Sequence, residues 1–202
     1  MSAPGPASDG GWSVLSVETR FENPHLQVNL ETVRSPGRHD PVTWTVARRK
    51  AAVVTAPRTR DGRLLLIRQE RIPLRAAIWE FPAGQIDDPA GGEPLVRQSA
   101  LREMREECGC RLADDGRLVP LGVFFSSPGF TDEQAFLFLA DPVVADADGH
   151  DHGEHETILD CRGFTAHEIL AMVADGGIND ANTLSTLARL VALGHLAPDS
   201  PR

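Results

Sequence analysis

Arg102-Glu103-Met104-Arg105-Glu106-Glu107-Cys108-Gly109-Cys110 is the stretch from which the rest of the chain can be read. On a helix of 3.6 residues per turn, Glu103, Glu106 and Glu107 stand at i, i+3 and i+4, so three carboxylates share one face. Like charges at those spacings destabilise a helix by roughly 0.2–0.5 kcal/mol per pair, and a face that merely met solvent would intersperse lysines. The crowding asks for a cation. Hard divalent ions such as Mg²⁺ take carboxylate oxygens together with waters and substrate phosphates. Leu101, Met104 and Cys108, at i, i+3 and i+7, form an apolar stripe expected on the opposite side of the helix, facing a core. Pro94 suits a first turn and Gly109 a terminus, which brackets a helix of about four turns. Arg102, four residues before Glu106, can brace that carboxylate.

This stretch resembles the second half of the Nudix box, Arg-Glu-aliphatic-x-Glu-Glu-x-Gly-aliphatic, with Cys110 in the last apolar slot. The first half departs. Gly84 to Glu93 and Glu93 to Arg102 each enclose eight residues, longer than the family's gaps, and the extra residues fall in the turn-rich stretch Asp87-Asp88-Pro89-Ala90-Gly91-Gly92, where insertion is cheap. Two further strings, Ile78-Trp79-Glu80-Phe81-Pro82-Ala83-Gly84 and Ser126-Ser127-Pro128-Gly129-Phe130-Thr131-Asp132-Glu133, resemble the ADP-ribose pyrophosphatase branch of that family. Ile178 to Thr183 resembles its lead into the last helix, so the resemblance spans roughly residues 12–195.

The resemblance implies an α/β Nudix fold, an α/β/α sandwich around a mixed sheet, with a small N-terminal antiparallel sheet that pairs two subunits into a homodimer. It implies Mg²⁺, or Mn²⁺, held by Glu103, Glu106, Glu107 and the Ala83 carbonyl, with Arg102 steadying the helix face. Glu80 would approach substrate or metal, and Phe130 and Glu133 would lie along the ribose and phosphates. Arg68, at the end of its strand, is a further substrate candidate. A general base would come from Glu154 or Glu156, in the string Glu154-His155-Glu156-Thr157-Ile158. The reaction implied is hydrolysis of the pyrophosphate bond of a nucleoside diphosphate sugar, with ADP-ribose giving AMP and ribose 5-phosphate. Trp79 and Phe81 can be read either as packing residues or as stacking partners. The chain has no tyrosine, so base stacking falls to Phe, Trp or His, with Phe21 and Trp44 as N-terminal candidates.

Composition is compatible. With 202 residues, 41% hydrophobic and 24% charged, the chain reads as one main domain with a smaller appendage. A net charge of −9 without a basic run argues against nucleic acid as a partner. An enzyme for anionic nucleotides would then bring its positive charge as metal plus local arginines. No apolar run reaches the roughly 18 residues that span a bilayer, and the first residues lack signal-peptide features, so no membrane role and a cytoplasmic location are expected. Cys108, Cys110 and Cys161 have no C-x-x-C spacing, which indicates neither a disulfide framework nor a zinc site.

Taken in order, residues 1–10 read as a disordered tail. Trp12 to Phe21, His25 to Val33 and Val42 to Ala47 read as the strands of an N-terminal dimerisation region, residues 11–48, with a sheet packed on its own chain as the alternative. The main domain, residues 49–196, opens with a hairpin of Ala51–Ala56 and Arg63–Glu70 across Arg60-Asp61-Gly62. Leu118 to Phe125 and Ala135 to Ala140 read as buried strands, and 141–156 as a polar, His-rich loop suited to a lid. His150, His152 and His155 offer a rival transition-metal site there. Thr165 reads as an N-cap and Gly176-Gly177 as the stop of one helix. Asp180 or Asn182 starts the last, with Leu184, Leu187 and Val191 as packing positions. Residues 197–202 are a tail. Other nucleotide sugars such as GDP-mannose, a dinucleotide, or a non-catalytic ADP-ribose-binding module remain as alternatives.

Overall fold

A computed structural model describes residues 10–86, 92–147 and 157–197. It has two sheets. The first is antiparallel, formed by β1 (Ser13–Asn23), β2 (Leu26–Arg34) and β3 (Val42–Arg48) in that order. The expected Asn23-Pro24 turn is closed by the Asn23 side chain, whose Oδ1 accepts from the His25 and Leu26 N–H groups at 2.9 and 2.8 Å, an Asx turn. β2 does alternate, but its best-buried side chains are polar: Asn29 and Glu31, each 3% exposed. Arg48 from β3 supplies the counter-charge to Glu31, which is why a carboxylate can sit there.

The second sheet carries β4 (Ala52–Thr59), β5 (Leu64–Arg71), β6 (Ala76–Glu80), β7 (Ala83–Gln85), β8 (Cys110–Phe125), β9 (Gln134–Ala145) and β10 (Ile158–Phe164). Its main path is β10-β5-β4-β9-β8, with β6 on β5 and β7 on β4. β4 and β9 pair in parallel, while the other pairings are antiparallel, so the sheet is mixed. The helices are α1 (Gly92–Cys108), α2 (Ala166–Ala174) and α3 (Ala181–Ala192).

Period-two alternation explains the layers. On β4, Val54 and Ala56 face a core with Ile169 of α2 and Leu187 and Leu190 of α3, while Val53 faces the other core with Val96, Ala100 and Met104 of α1. β9 divides likewise, Leu137 and Leu139 to one side and Phe138 and Ala140 to the other. Strands covered on both faces are continuous apolar runs, and the result is the expected α/β/α sandwich.

Three expectations are corrected. β9 runs on through Asp141-Pro142 to Ala145, because Val143 is buried and paired with Leu112 of β8, and Arg58 binds the Asp141 carboxylate. On α3 the buried positions are Thr183, Thr186, Leu187 and Leu190, whereas Val191 is exposed. On α1 the carboxylates do not oppose the apolar stripe: Glu103 and Glu107 are buried beside Met104 and Cys108. Consecutive residues lie only 100° apart on a helix, so the stripe widens to take them in. Gly109 ends α1 at φ 58°, its N–H on the Arg105 carbonyl, a left-handed terminus that suits glycine. The three cysteines are free thiols, with Cys108 and Cys110 buried.

Candidate active site

The site is organised on the turn from β6 into β7. Phe81 is fully buried, and its N–H donates to Thr183 Oγ1 of α3 at 2.9 Å. The Pro82 carbonyl accepts from the Thr55 N–H at 3.0 Å. Pinned from both layers, the turn presents the Ala83 N–H to α1, where Glu107 Oε2 accepts it at 2.8 Å. At Gly84 the approach is closer: a Cβ there would stand 2.0 Å from Glu103 Cδ, so only glycine leaves room for that carboxyl group. Trp79 meets Phe164 edge-on at 5.1 Å, under the Arg162 guanidinium, and Phe81 lies in the core. Both are packing residues.

Arg102 spans two carboxylates, donating to Glu103 Oε1 at 2.6 Å and Glu106 Oε2 at 2.7 Å. The bond to Glu106 is the expected brace, and Glu103 is a second partner. Burial opposes the Arg102 charge, but Glu103 and Glu106 outweigh that and raise its pKa further. As the side chains stand, no group of three His, Cys, Asp or Glu among the described residues converges on a metal-holding point. Glu103 and Glu107 reach the Ala83-Gly84 backbone, and Glu106 turns outward to Arg102. The donors nevertheless suit a hard divalent ion: Glu103 and Glu107 gather carboxylate oxygens against the Ala83-Gly84 turn, where glycine leaves the Glu103 carboxyl group its room.

A cleft of about 630 Å³ opens beside this turn, lined by Glu80, Ala83, Gly84, Gln85 and Glu103 together with His25, Arg49, Ala52, Arg71, Pro73, Leu74, Ile78, Glu133, Asp180 and Asn182. That volume suits a small-molecule ligand. Glu80, 2% exposed, receives the Arg71 Nε–H at 2.9 Å. Burial works against the Arg71 charge, yet Glu80, Glu107 and Asp180 together raise its pKa above the ordinary value. Arg49 pairs with Glu133 at 2.8 Å.

The sequence candidates thus separate. Glu80, Ala83, Glu103 and Glu133 line the cleft, and Glu107 backs its floor through Ala83. Arg68 does not line it, since β5 alternation turns that side chain away from Arg71. Phe21 on β1 and Phe130 in the 126–133 loop are exposed outside it. Trp44 is also outside, its indole N–H donating to the Gly129 carbonyl at 2.7 Å. Glu154 and Glu156, with His150, His152 and His155, lie outside the described residues. His25, Arg49, Arg71, Asp180 and Asn182 were not anticipated as cleft residues. The signal available for Arg71 was its place at the end of the same strand as Arg68, on the alternate face. For Asp180 and Asn182 it was their place before the last helix.

Comparison with known proteins points to one family. The NUDIX domain family model matches residues 47–187. An ADP-ribose pyrophosphatase of Bacillus subtilis (strain 168) is 30% identical over 138 residues, 68% of this chain and 70% of that protein. An ADP-ribose pyrophosphatase of Mycobacterium tuberculosis (strain ATCC 25618 / H37Rv) is 32% identical over 129 residues, 64% of this chain and 59% of that protein. A crystal structure of an ADP compounds hydrolase superposes with a TM-score of 0.70 at 20% identity, covering 90% of this chain and 93% of the other, which shows a common fold. With Glu103 and Glu107 of α1 set against the turn beside the cleft and the family model matched over most of the chain's length, the chain belongs to the Nudix hydrolase family and is a Nudix pyrophosphohydrolase.

Proposed function

We propose that the protein hydrolyses the pyrophosphate bond of a nucleoside diphosphate sugar, with ADP-ribose and water giving AMP and ribose 5-phosphate, in the presence of Mg²⁺ or Mn²⁺. The observation that carries this is the shared cleft: Glu103 and the Ala83-Gly84 backbone line it together with Arg49 and Arg71, so carboxylates for a cation and guanidinium groups for phosphates meet in one place. The relatives named ADP-ribose pyrophosphatase supply the choice of sugar nucleotide.

Glu103, Glu106, Glu107 and the Ala83 carbonyl are the groups that would hold the divalent ion. When bound, such an ion supplies counter-charge to the phosphoryl oxygens and lowers the pKa of a coordinated water. The protein's own contribution is placement. Arg71 and Arg49 offer their remaining N–H donors to the diphosphate, which planar guanidinium groups recognise well. The Phe81–Thr183 hydrogen bond fixes the turn against α3, and Arg102 braces the Glu103 and Glu106 carboxylates. The proton of the attacking water is assigned, by family resemblance, to Glu154 or Glu156.

The same reading includes a homodimer formed through the N-terminal sheet. Every residue of β1 is exposed, including Val14, Leu15, Val17 and Phe21, and a long two-sided strand with apolar side chains in solvent is a surface that a second subunit would cover. Sedimentation equilibrium should give a dimer for the wild type and a monomer for Val17→Glu.

The function is tested by measuring product release from ADP-ribose, GDP-mannose and diadenosine polyphosphates with Mg²⁺ or Mn²⁺, beside Glu107→Gln. Cleavage of ADP-ribose in preference to the others, falling roughly 10²–10³-fold in the variant, supports the reading. Preferred cleavage of another member moves the substrate assignment. Binding of ADP-ribose without cleavage under either metal replaces the enzyme reading with a binding module.

A further inference from the structure

The 126–133 loop is fastened along its length to β3 of its own chain. Trp44 Nε1–H donates to the Gly129 carbonyl at 2.7 Å, the Ala47 N–H to the Phe130 carbonyl at 2.7 Å, and Ala47 forms a parallel bridge with Thr131. The polar centre of this seam is Arg48. Two of its nitrogens, Nε and one terminal nitrogen, are held by Glu31 at 2.9 and 2.7 Å, and its other terminal nitrogen donates to Asp132 Oδ2 at 2.8 Å. Because Glu31 is almost wholly buried and the Glu31 pairing is bidentate, the guanidinium plane is held by the sheet independently of the loop. Asp132 then uses its second oxygen to accept the Arg49 N–H at 3.4 Å. The next residue on each side reaches the cleft: Arg49 and Glu133 pair at 2.8 Å, and Ser126 Oγ donates to the other Glu133 oxygen at 2.6 Å.

We propose that Asp132, latched onto the Glu31-anchored Arg48, is a positioning residue for substrate binding, through which the N-terminal sheet sets Arg49 and Glu133 on the wall of the cleft. The consequence for substrate rests on the reading of this cleft as the nucleotide-sugar site, while the latch itself does not. Asp132 touches neither the box carboxylates nor the cleft. Its loss therefore loosens binding and leaves the chemical step in place.

Asp132→Asn in the full chain is the test, with Asp132→Glu as the conservative variant; Arg48 stays in place so that buried Glu31 keeps its partner. Two readouts are taken: amide hydrogen exchange of 126–134 in the free protein, and kcat and KM with ADP-ribose and Mg²⁺. Asp132→Asn should speed exchange in 126–134 but not in 99–107, and raise KM about three- to fivefold with kcat within about twofold, the size expected of a partly exposed ion pair. Asp132→Glu should restore both. Unchanged exchange overturns the latch. Faster exchange with unchanged KM, or an equal fall in kcat that Asp132→Glu does not restore, overturns the positioning role. If the wild type cleaves no ADP-ribose, the functional reading fails and loop exchange alone decides the latch.

Discussion

The Glu103 carboxyl group of α1 occupies the space that a side chain on Gly84 of β7 would need, with Cδ 2.0 Å from the ideal Cβ position. The helix and the turn are therefore fitted to each other through one missing methyl group. Gly84→Ala should displace Glu103 and lower kcat/KM roughly 100-fold, the penalty for an ångström-scale misplacement of a catalytic group. Steady-state assays with far-UV circular dichroism on the same sample check this. Full activity in a folded Gly84→Ala protein would remove Glu103 from the working site.

Arg71 and Glu80 meet at 2.9 Å with Glu80 almost out of water. Removing the guanidinium leaves a buried carboxylate short of its cationic partner, which is costly. Arg71→Ala is expected to lose about 3 kcal/mol of stability and most substrate affinity. Arg71→Ala/Glu80→Gln should recover part of the stability and none of the affinity. Urea denaturation and KM measurements separate the two effects.

Thr165 caps α2: its hydroxyl oxygen accepts the Glu168 N–H at 3.2 Å, and the Glu168 carboxylate accepts the Thr165 N–H at 2.7 Å. Thr165→Ala should cost about 1 kcal/mol. The Thr165 N–H, and then its hydroxyl, hold the Glu168 pKa below its ordinary 4.5. Ionised Glu168 thus favours the folded state at pH values above 4.5, and that contribution fades as pH falls through the lowered folded value. Thermal melts at about pH 7 and about pH 3.5 should show the wild-type advantage over Thr165→Ala narrowing in acid. A constant difference would mean that the bond from the Thr165 hydroxyl to the Glu168 carboxylate contributes nothing, since the bond from the backbone N–H survives the substitution.

Hydrogen bonds with the Cys110 and Cys161 thiols, and burial, push the Cys108 thiol well above its ordinary 9.0, whereas the Cys108 hydrogen bond lowers Cys161 against its own burial. Thiolates are the reactive form. Iodoacetamide at about pH 8 should therefore label Cys161 before Cys108 in the folded protein, as read by peptide mass spectrometry. Faster labelling of Cys108 would contradict the arrangement.

What the sequence alone determined was local. The box helix, its glycine stop at Gly109, the Thr165 and Asp180 caps and the apolar runs of β4 and β9 follow from preferences that act within a few residues, and the family motifs read the same way. Tertiary structure decided which groups meet. Arg71 rather than Arg68 lines the cleft because strand alternation acts on a register set by β6 and β10. Glu103 and Glu107 join the buried stripe because the Ala83-Gly84 turn gives their carboxylates a polar seat. Trp44 holds a loop and stays out of the cleft because that loop folds back onto β3. Such meetings depend on packing between segments far apart in the chain, and neither periodicity nor composition records them.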